Sequence, residues 1–431
     1  MDEEVQMEEN GQQYIELVND MTEMLKNLEP PLLTDCCIYR VPYHLRKLNE
    51  DSYTPKVVSI GPFHHGNSRL QTMEKKKVRC LNNFLEMVGL NLEDLVSTIK
   101  HLEGRIRGFY GETIQLNSND FVKMILLDVS FILEVFRKGV ESRWSIDFPP
   151  WLSHSLMEDF ILLENQIPFF IIEWLYDFVP SNGLSLIQLS FSFFTDFNVQ
   201  EFDPLPNMKI KHFTDLLRIF QLPFTDLLRI FQLPPQRPQS ERKELIKHLY
   251  SATQLREAGV KFKVSSSNCL LELKFTNGVL EIPRIHLYDR TEILARNLVA
   301  FEQCHFLREA YITDYYLILD LLINTAHDVD LLCDKGIMFN YLGDSRAATS
   351  MVNNLNKEIV WLDMSPDYYH LCKALNEFYE NPLHSWKKAT LRREYFSSPW
   401  ITTSTIAAVI FLVLTIIQTV CSLIQVVPKH K

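Results

Sequence analysis

The chain has 431 residues, 46% of them hydrophobic and 23% charged, with a net charge of −11. This is enough apolar content for a well-buried core and rules against bulk disorder. It leaves no surplus of Lys and Arg to grip phosphates, so nucleic acid is not expected as a partner. Gly is scarce at 13 residues and Phe abundant at 28. With few Asn-Gly or Asp-Gly turns, that argues against an all-β sandwich or barrel.

Residues 1–12, opening MDEEVQMEEN, are acidic where a signal peptide is basic and apolar, and they read as disordered. In 13–28, Ile15, Val18, Met21, Leu25 and Leu28 recur at helical steps, which predicts an amphipathic helix packed on its own domain and ended by Pro30-Pro31. Residues 36–65 read as loop and short strand. Lys56–Ile60 is β-branched and stops at Gly61-Pro62. Helices are expected at Leu70–Val88, at Phe121–Phe136, and from Leu156 to Phe178 with a break at Pro168.

The sequence FTDLLRIFQLP occurs twice in tandem, at Phe213–Pro223 and Phe224–Pro234. Eleven residues are close to three helical turns, so the insertion nearly keeps helical phase, and Pro223 should break the helix between copies. Two copies are too few for a solenoid, and the second reads as a surface excursion. A polar linker follows at 236–242. Strands are expected at Val260–Val264, Leu270–Phe275 and Val279–Ile282, the last two joined by an Asn277-Gly278 hairpin turn. Helix resumes after Asp289, with Glu292 completing a capping-box pattern, and continues to Tyr395 with breaks at Gly336, Gly343 and Pro366.

Ile401–Val427 contains no charged residue. Twenty helical residues span about 30 Å of hydrocarbon, and this run is longer. It predicts a transmembrane helix carrying Ile401, Ile406, Phe411, Leu414, Ile417 and Val420, with the lipid bilayer as a partner. Lys387, Lys388, Arg392 and Arg393 precede it, and Lys429 and Lys431 follow. By the positive-inside rule the bulk of the chain faces the cytosol.

The eight cysteines, at 36, 37, 80, 269, 304, 333, 372 and 421, make no Cys-x-x-Cys and no zinc spacing, which suits reduced thiols. There is no phosphate loop, dinucleotide fingerprint, metalloprotease motif or nucleophile elbow. No catalytic residue, cofactor or metal ligand is therefore assigned. Glu164-Asn165-Gln166 stands out as a polar triplet between FILL and IPFF. Burial there requires bonding partners, so it reads as a structural polar cluster where Pro168 breaks the helix. Arg296, Asn297 and Glu302 read as a bonding set within and between helices. An alternative is an enzyme of undescribed type with a polar site near His64, Glu164 and Asn165.

Several phrases together resemble a plant family known as domain of unknown function 247. They include YTPKVVSIGPFHHG at 53–66, LQTMEKKKVRCLNNFL at 70–85, FVKMILLDVSFILEVF at 121–136, FILLENQIPFFIIEWL at 160–175, SATQLREAGVKFK at 251–263 and the stretch 277–304. The duplicated segment departs from the family pattern. The resemblance implies a helix-rich, single-pass membrane protein with no established activity or cofactor. The expected architecture is mainly α: a large helical domain with a small β-hairpin or sheet element, plus a C-terminal transmembrane helix. Residues 1–34 form an acidic segment with one amphipathic helix, 35–396 the helical domain with the duplication at 213–234, and 397–431 the membrane anchor. The expected role is non-enzymatic recognition or signalling through an unknown protein partner.

Overall fold

The computed structural model describes residues 2–26, 34–140, 149–180, 183–205, 207–232, 243–306, 308–361, 363–381 and 399–426. Helix accounts for 61% and strand for 6%, which makes the fold mainly α with small sheets. The expected linker at 236–242 and the basic residues flanking the apolar run lie outside the described residues.

The helix Ser118–Val140 is the hub. From Val122 to Phe136 only Lys123 is exposed, so neighbours must cover this helix on nearly every side. The covering helices are Gln71–Val88, Leu92–Arg107, Phe169–Tyr176 and Leu186–Phe193. Their ends follow local chemistry. Asn91 caps Leu92–Arg107 through the Glu93 N–H, with Glu93 and Asp94 in its first turn and Arg105 and Arg107 in its last. The abundant Phe residues meet beside this hub. The Phe213 ring lies 5.4–6.1 Å from those of Phe136, Phe160, Phe169 and Phe194.

A second group of helices is organised by Asp289–His305, which packs on Tyr311–Leu322, Ser345–Leu355 and Phe213–Gln221. Its start differs from expectation. Thr291 Oγ1 accepts the Tyr288 N–H, while Glu292 turns to Arg296 and to Asn49. Pro366 does not interrupt a helix but opens one, Pro366–Glu380, at the position where a missing N–H is harmless.

The strands are β1 (Lys261–Val264), β2 (Lys274–Thr276), β3 (Val279–Ile282), β4 (Ile285–Leu287) and β5 (Met338–Asn340). The first three form a sheet of order β1-β3-β2, with β2 and β3 antiparallel and β1 parallel to β3. Phe275 faces Leu280 across the hairpin. Asn277 and Gly278 both sit at positive φ, 50° and 75°, the primed-turn geometry that matches strand twist. β4 and β5 pair in parallel, with His286 opposite Phe339.

Two expectations need correcting. Residues 56–60 are not a strand, because their backbone groups bond to side chains, as shown below. The N-terminal helix is longer than expected, Asp2–Lys26, and starts within the segment read as disordered. Glu, Gln and Met are good helix formers, and acidic residues favour a helix N-terminus. Its apolar stripe is also not packed on the domain: Ile15, Val18, Met21 and Leu25 are all exposed.

The C-terminal segment is helical. A helix runs Pro399–Val426, and Ile406, Phe411, Leu414, Ile417 and Val420 are exposed on it. The Ile401 side chain lies outside the described residues. Among the described residues no helix is long and apolar enough to cross a membrane.

Candidate functional site

Between the helices Pro150–Phe160 and Phe169–Tyr176 the chain runs through the core without helical bonds. Buried backbone groups must then find other partners. Side chains supply them, and the same side chains hold a second irregular strand of chain, residues 56–61.

Asp159 accepts the N–H groups of Lys56, Val57 and Val58 at 2.7–2.8 Å. Asn165 accepts the Ile60 N–H and donates to the carbonyls of Val58 and Asp159. Asp128, from the hub helix, accepts the Gly61 N–H and pairs with Lys77, which also donates to the Ser59 carbonyl and to Glu74. Residues 56–61 are therefore bonded like a strand, but to carboxylates, an amide and an ammonium. Burial pushes the Asp159 carboxyl up to about 6 against the pull of its three N–H donors. Gly61 is required at φ 75°, since a Cβ there would strike the Gln166 carbonyl oxygen.

Gln166 spans two elements. Its amide donates to the carbonyls of Phe160 and Leu162 and accepts the Phe213 N–H at 2.9 Å, so it starts the first duplicated helix. Glu164 takes the Val41 N–H at 2.8 Å and the Arg46 guanidinium at 2.7 Å. His64 Nε2 lies 3.3 Å from the same carboxylate, close enough for an ion contact but not aligned as a hydrogen bond. Burial pushes the Glu164 carboxyl up, but His64, Arg46 and the Val41 N–H outweigh it and hold the group below its ordinary range.

Of the residues proposed for an enzyme site, His64 and Glu164 thus meet, while Asn165 points into the strap at 56–61. The side chains of Glu164 and His64 are 0% and 9% exposed. A reacting group needs room for substrate, and these two side chains are largely buried.

The set Arg296, Asn297 and Glu302 disperses along one helix. Arg296 pairs with Glu292. Asn297 accepts the Leu163 N–H and donates to the carbonyls of Ser52 and Ile293. Glu302 receives Arg218 Nε at 3.1 Å and the Thr313 N–H and hydroxyl at 2.8 and 2.7 Å.

Two features were not found by sequence reasoning. In the first, Lys211 Nζ reaches His305 Nε2, His305 Nδ1 lies 2.8 Å from the Tyr39 hydroxyl, and that hydroxyl is 3.1 Å from the Cys36 carbonyl. Burial pushes His305 down to about 4 and the Lys211 charge adds to the effect, so the imidazole is neutral and links the two groups. The second is a cavity of about 120 Å³ between the start of Asp289–His305, the helix Tyr311–Leu322 and β4. Leu270, Leu294, Leu298, Ile312 and Tyr315 line it, and Arg284 and His286 stand among its lining residues. No spacing rule marks either feature, because each draws its members from segments far apart in the chain. Among the described residues no group of His, Cys, Asp and Glu has the arrangement of a metal site.

Comparison with known proteins agrees with the resemblance in the sequence. UPF0481 protein At3g47200 of Arabidopsis thaliana is 32% identical, over 94% of this chain and 90% of its own length. Putative UPF0481 protein At3g02645 of the same plant is 24% identical, over 88% of this chain and 89% of its own length. No solved structure matches. The family DUF247, described as plant protein of unknown function, matches residues 38–414, and the chain belongs to that family.

Proposed function

We propose that this protein is a non-enzymatic recognition or signalling protein, held at a membrane by the helix Pro399–Val426 and acting on a protein partner from the cytosolic side. One observation carries the reading. The domain exposes only scattered large apolar side chains, such as Tyr43, Trp151 and Val360, whereas the helices at the two ends of the described chain expose continuous apolar surface. At the C-terminal end, Val409–Leu414 is exposed throughout within a sequence that has no charge from Ile401 to Val427. Such a surface is stable in lipid and costly in water. At the other end, Ile15, Val18, Met21 and Leu25 form one exposed stripe, the form in which an amphipathic helix enters a partner's groove. The buried polar side chains described above serve the backbone of the domain, which supports a scaffold over a catalyst.

The test takes the full chain and a chain ending before Pro399 through carbonate washing of plant membranes. The full chain should stay in the pellet and the shorter one should be released. Release of the full chain would remove the anchor from the proposal. A photo-crosslinker placed at Val18 in sealed membranes should give an adduct of higher mass. Cross-linking only within the chain would mean that the stripe docks on its own domain.

A further inference from the structure

The cavity between β4 and the helix Tyr311–Leu322 has the features of a ligand chamber, and each of its walls limits what the ligand can be. Its volume is about 120 Å³. An apolar cavity of about 150 Å³ holds one benzene, so the chamber takes one ring or a short branched chain, with any polar group left at the mouth. The inner wall is apolar, with Leu271, Leu298 and Ile312 buried. Tyr315 belongs to that wall and is 3% exposed. Its hydroxyl has no hydrogen-bond partner, and burying a hydroxyl unpaired is unfavourable. A polar atom on the ligand would complete it.

The mouth differs in character. Arg290 is paired with Asp196 at 3.3 Å. Arg284 is exposed and has no acidic partner among the described residues. The mouth therefore offers one unpaired guanidinium, which suits a single carboxylate through its two-pronged donor set. Beside it runs a row of flat rings. His286 stacks on Phe339 with centroids 4.8 Å apart and planes 7° apart, and Tyr288 stacks on Tyr341 at 4.4 Å and 7°. Such a rail leaves ring faces for a planar ligand to lie against.

We infer that this chamber binds a small aromatic monocarboxylate, its ring between Leu298 and Ile312, a polar substituent on the Tyr315 hydroxyl, and its carboxylate on Arg284. The inference stands apart from the membrane proposal, since none of these residues belongs to either terminal helix.

The probe is 4-hydroxyphenylacetate, titrated calorimetrically into the full chain. Phenylacetate lacks the ring hydroxyl, and p-cresol lacks the carboxylate. The expected result is saturable one-site binding of 4-hydroxyphenylacetate, with p-cresol at least about tenfold weaker. Arg284→Gln should weaken the acid about tenfold and leave p-cresol unchanged. Tyr315→Phe should erase the advantage of 4-hydroxyphenylacetate over phenylacetate without lowering the melting temperature, because the hydroxyl removed has no protein partner. Two results would overturn the inference: no saturable heat from either acid, or equal affinity for acid and p-cresol in the unaltered chain. An Arg284→Gln chain that bound the acid as well as the original would do the same.

Discussion

A carboxylate in an apolar frame persists only where the fold supplies donors, and Glu164 shows how completely that can be done. One oxygen takes the Val41 N–H, the other takes Arg46, and His64 adds positive charge when protonated. Removing the carboxylate leaves the Val41 N–H unpaired and a largely buried guanidinium with only the Thr54 hydroxyl and the more distant Glu50 carboxylate. We expect Glu164→Ala to cost about 3 kcal/mol, and Glu164→Gln distinctly less because it keeps one acceptor in place. Urea unfolding midpoints of the two variants measure the difference. If both variants unfold like the original chain, the carboxylate is not what ties 41–46 to 161–168. The sequence marks this residue because three polar residues interrupt an apolar run. Asp128 stands in the same kind of setting, a lone acid within ILLDVSFIL, but is not among the residues singled out from the sequence. Lys77 carries no such sign. It stands in a run of three lysines, Lys75–Lys77, and only the helical phase that puts Met73, Cys80 and Phe84 inward takes it inside as well.

At the scale of elements, the duplicated helices form a natural experiment in which sequence is constant and surroundings differ. In the first copy every residue from Phe213 to Phe220 is buried. In the second, Phe224 is 42% exposed while Leu227 is fully buried. The second copy is therefore a partly seated helix, not the free surface excursion that the repeat implied. Phe213→Ala should cost about 3–5 kcal/mol and its counterpart Phe224→Ala about 1 kcal/mol or less, as read by thermal unfolding. Equal losses would place the second copy as deep as the first. Periodicity cannot distinguish the copies, since it reports which face is apolar and not what the face meets. The same limit explains residues 56–60. A β-branched run has the local preference of a strand, but whether it pairs with a strand or with the carboxylate of Asp159 is decided about a hundred residues away. The hairpin at Asn277-Gly278 was legible because its turn and both partners are adjacent in sequence. The chamber behind β4 was not, because it exists only once segments from 196 to 316 have packed together.

At the scale of the whole molecule, two helical groups meet through a few polar residues that reach from one to the other. Gln166 and Thr214 join the central turn to the first duplicated helix, Arg218 joins that helix to Glu302, and Asn297 joins it back to Leu163 and Ser52. The first duplicated helix is thus the shared member of both groups, and its placement decides whether they fit. Yet the chain offers two identical candidates for that place. They differ in what precedes them: His212 for one, Pro223 for the other. His212 Nδ1 accepts the Asp215 N–H and Nε2 donates to the Cys37 carbonyl at 3.0 Å. Burial holds this imidazole neutral, its pKa pushed down to about 3, so one nitrogen can accept while the other donates. Pro223 can do neither. A cap and a buried hydrogen bond together are worth about 2 kcal/mol, or about thirtyfold in population. His212→Pro makes the two copies nearly equivalent in their approach. It should yield a mixture of two threadings offset by eleven residues, seen as doubled resonances from a fluorine label on Phe220. Deleting Phe224–Pro234 from the same variant should return a single resonance. An exact repeat within a core helix thus gives the folding chain a choice of frame, and a single imidazole just ahead of the first copy biases that choice.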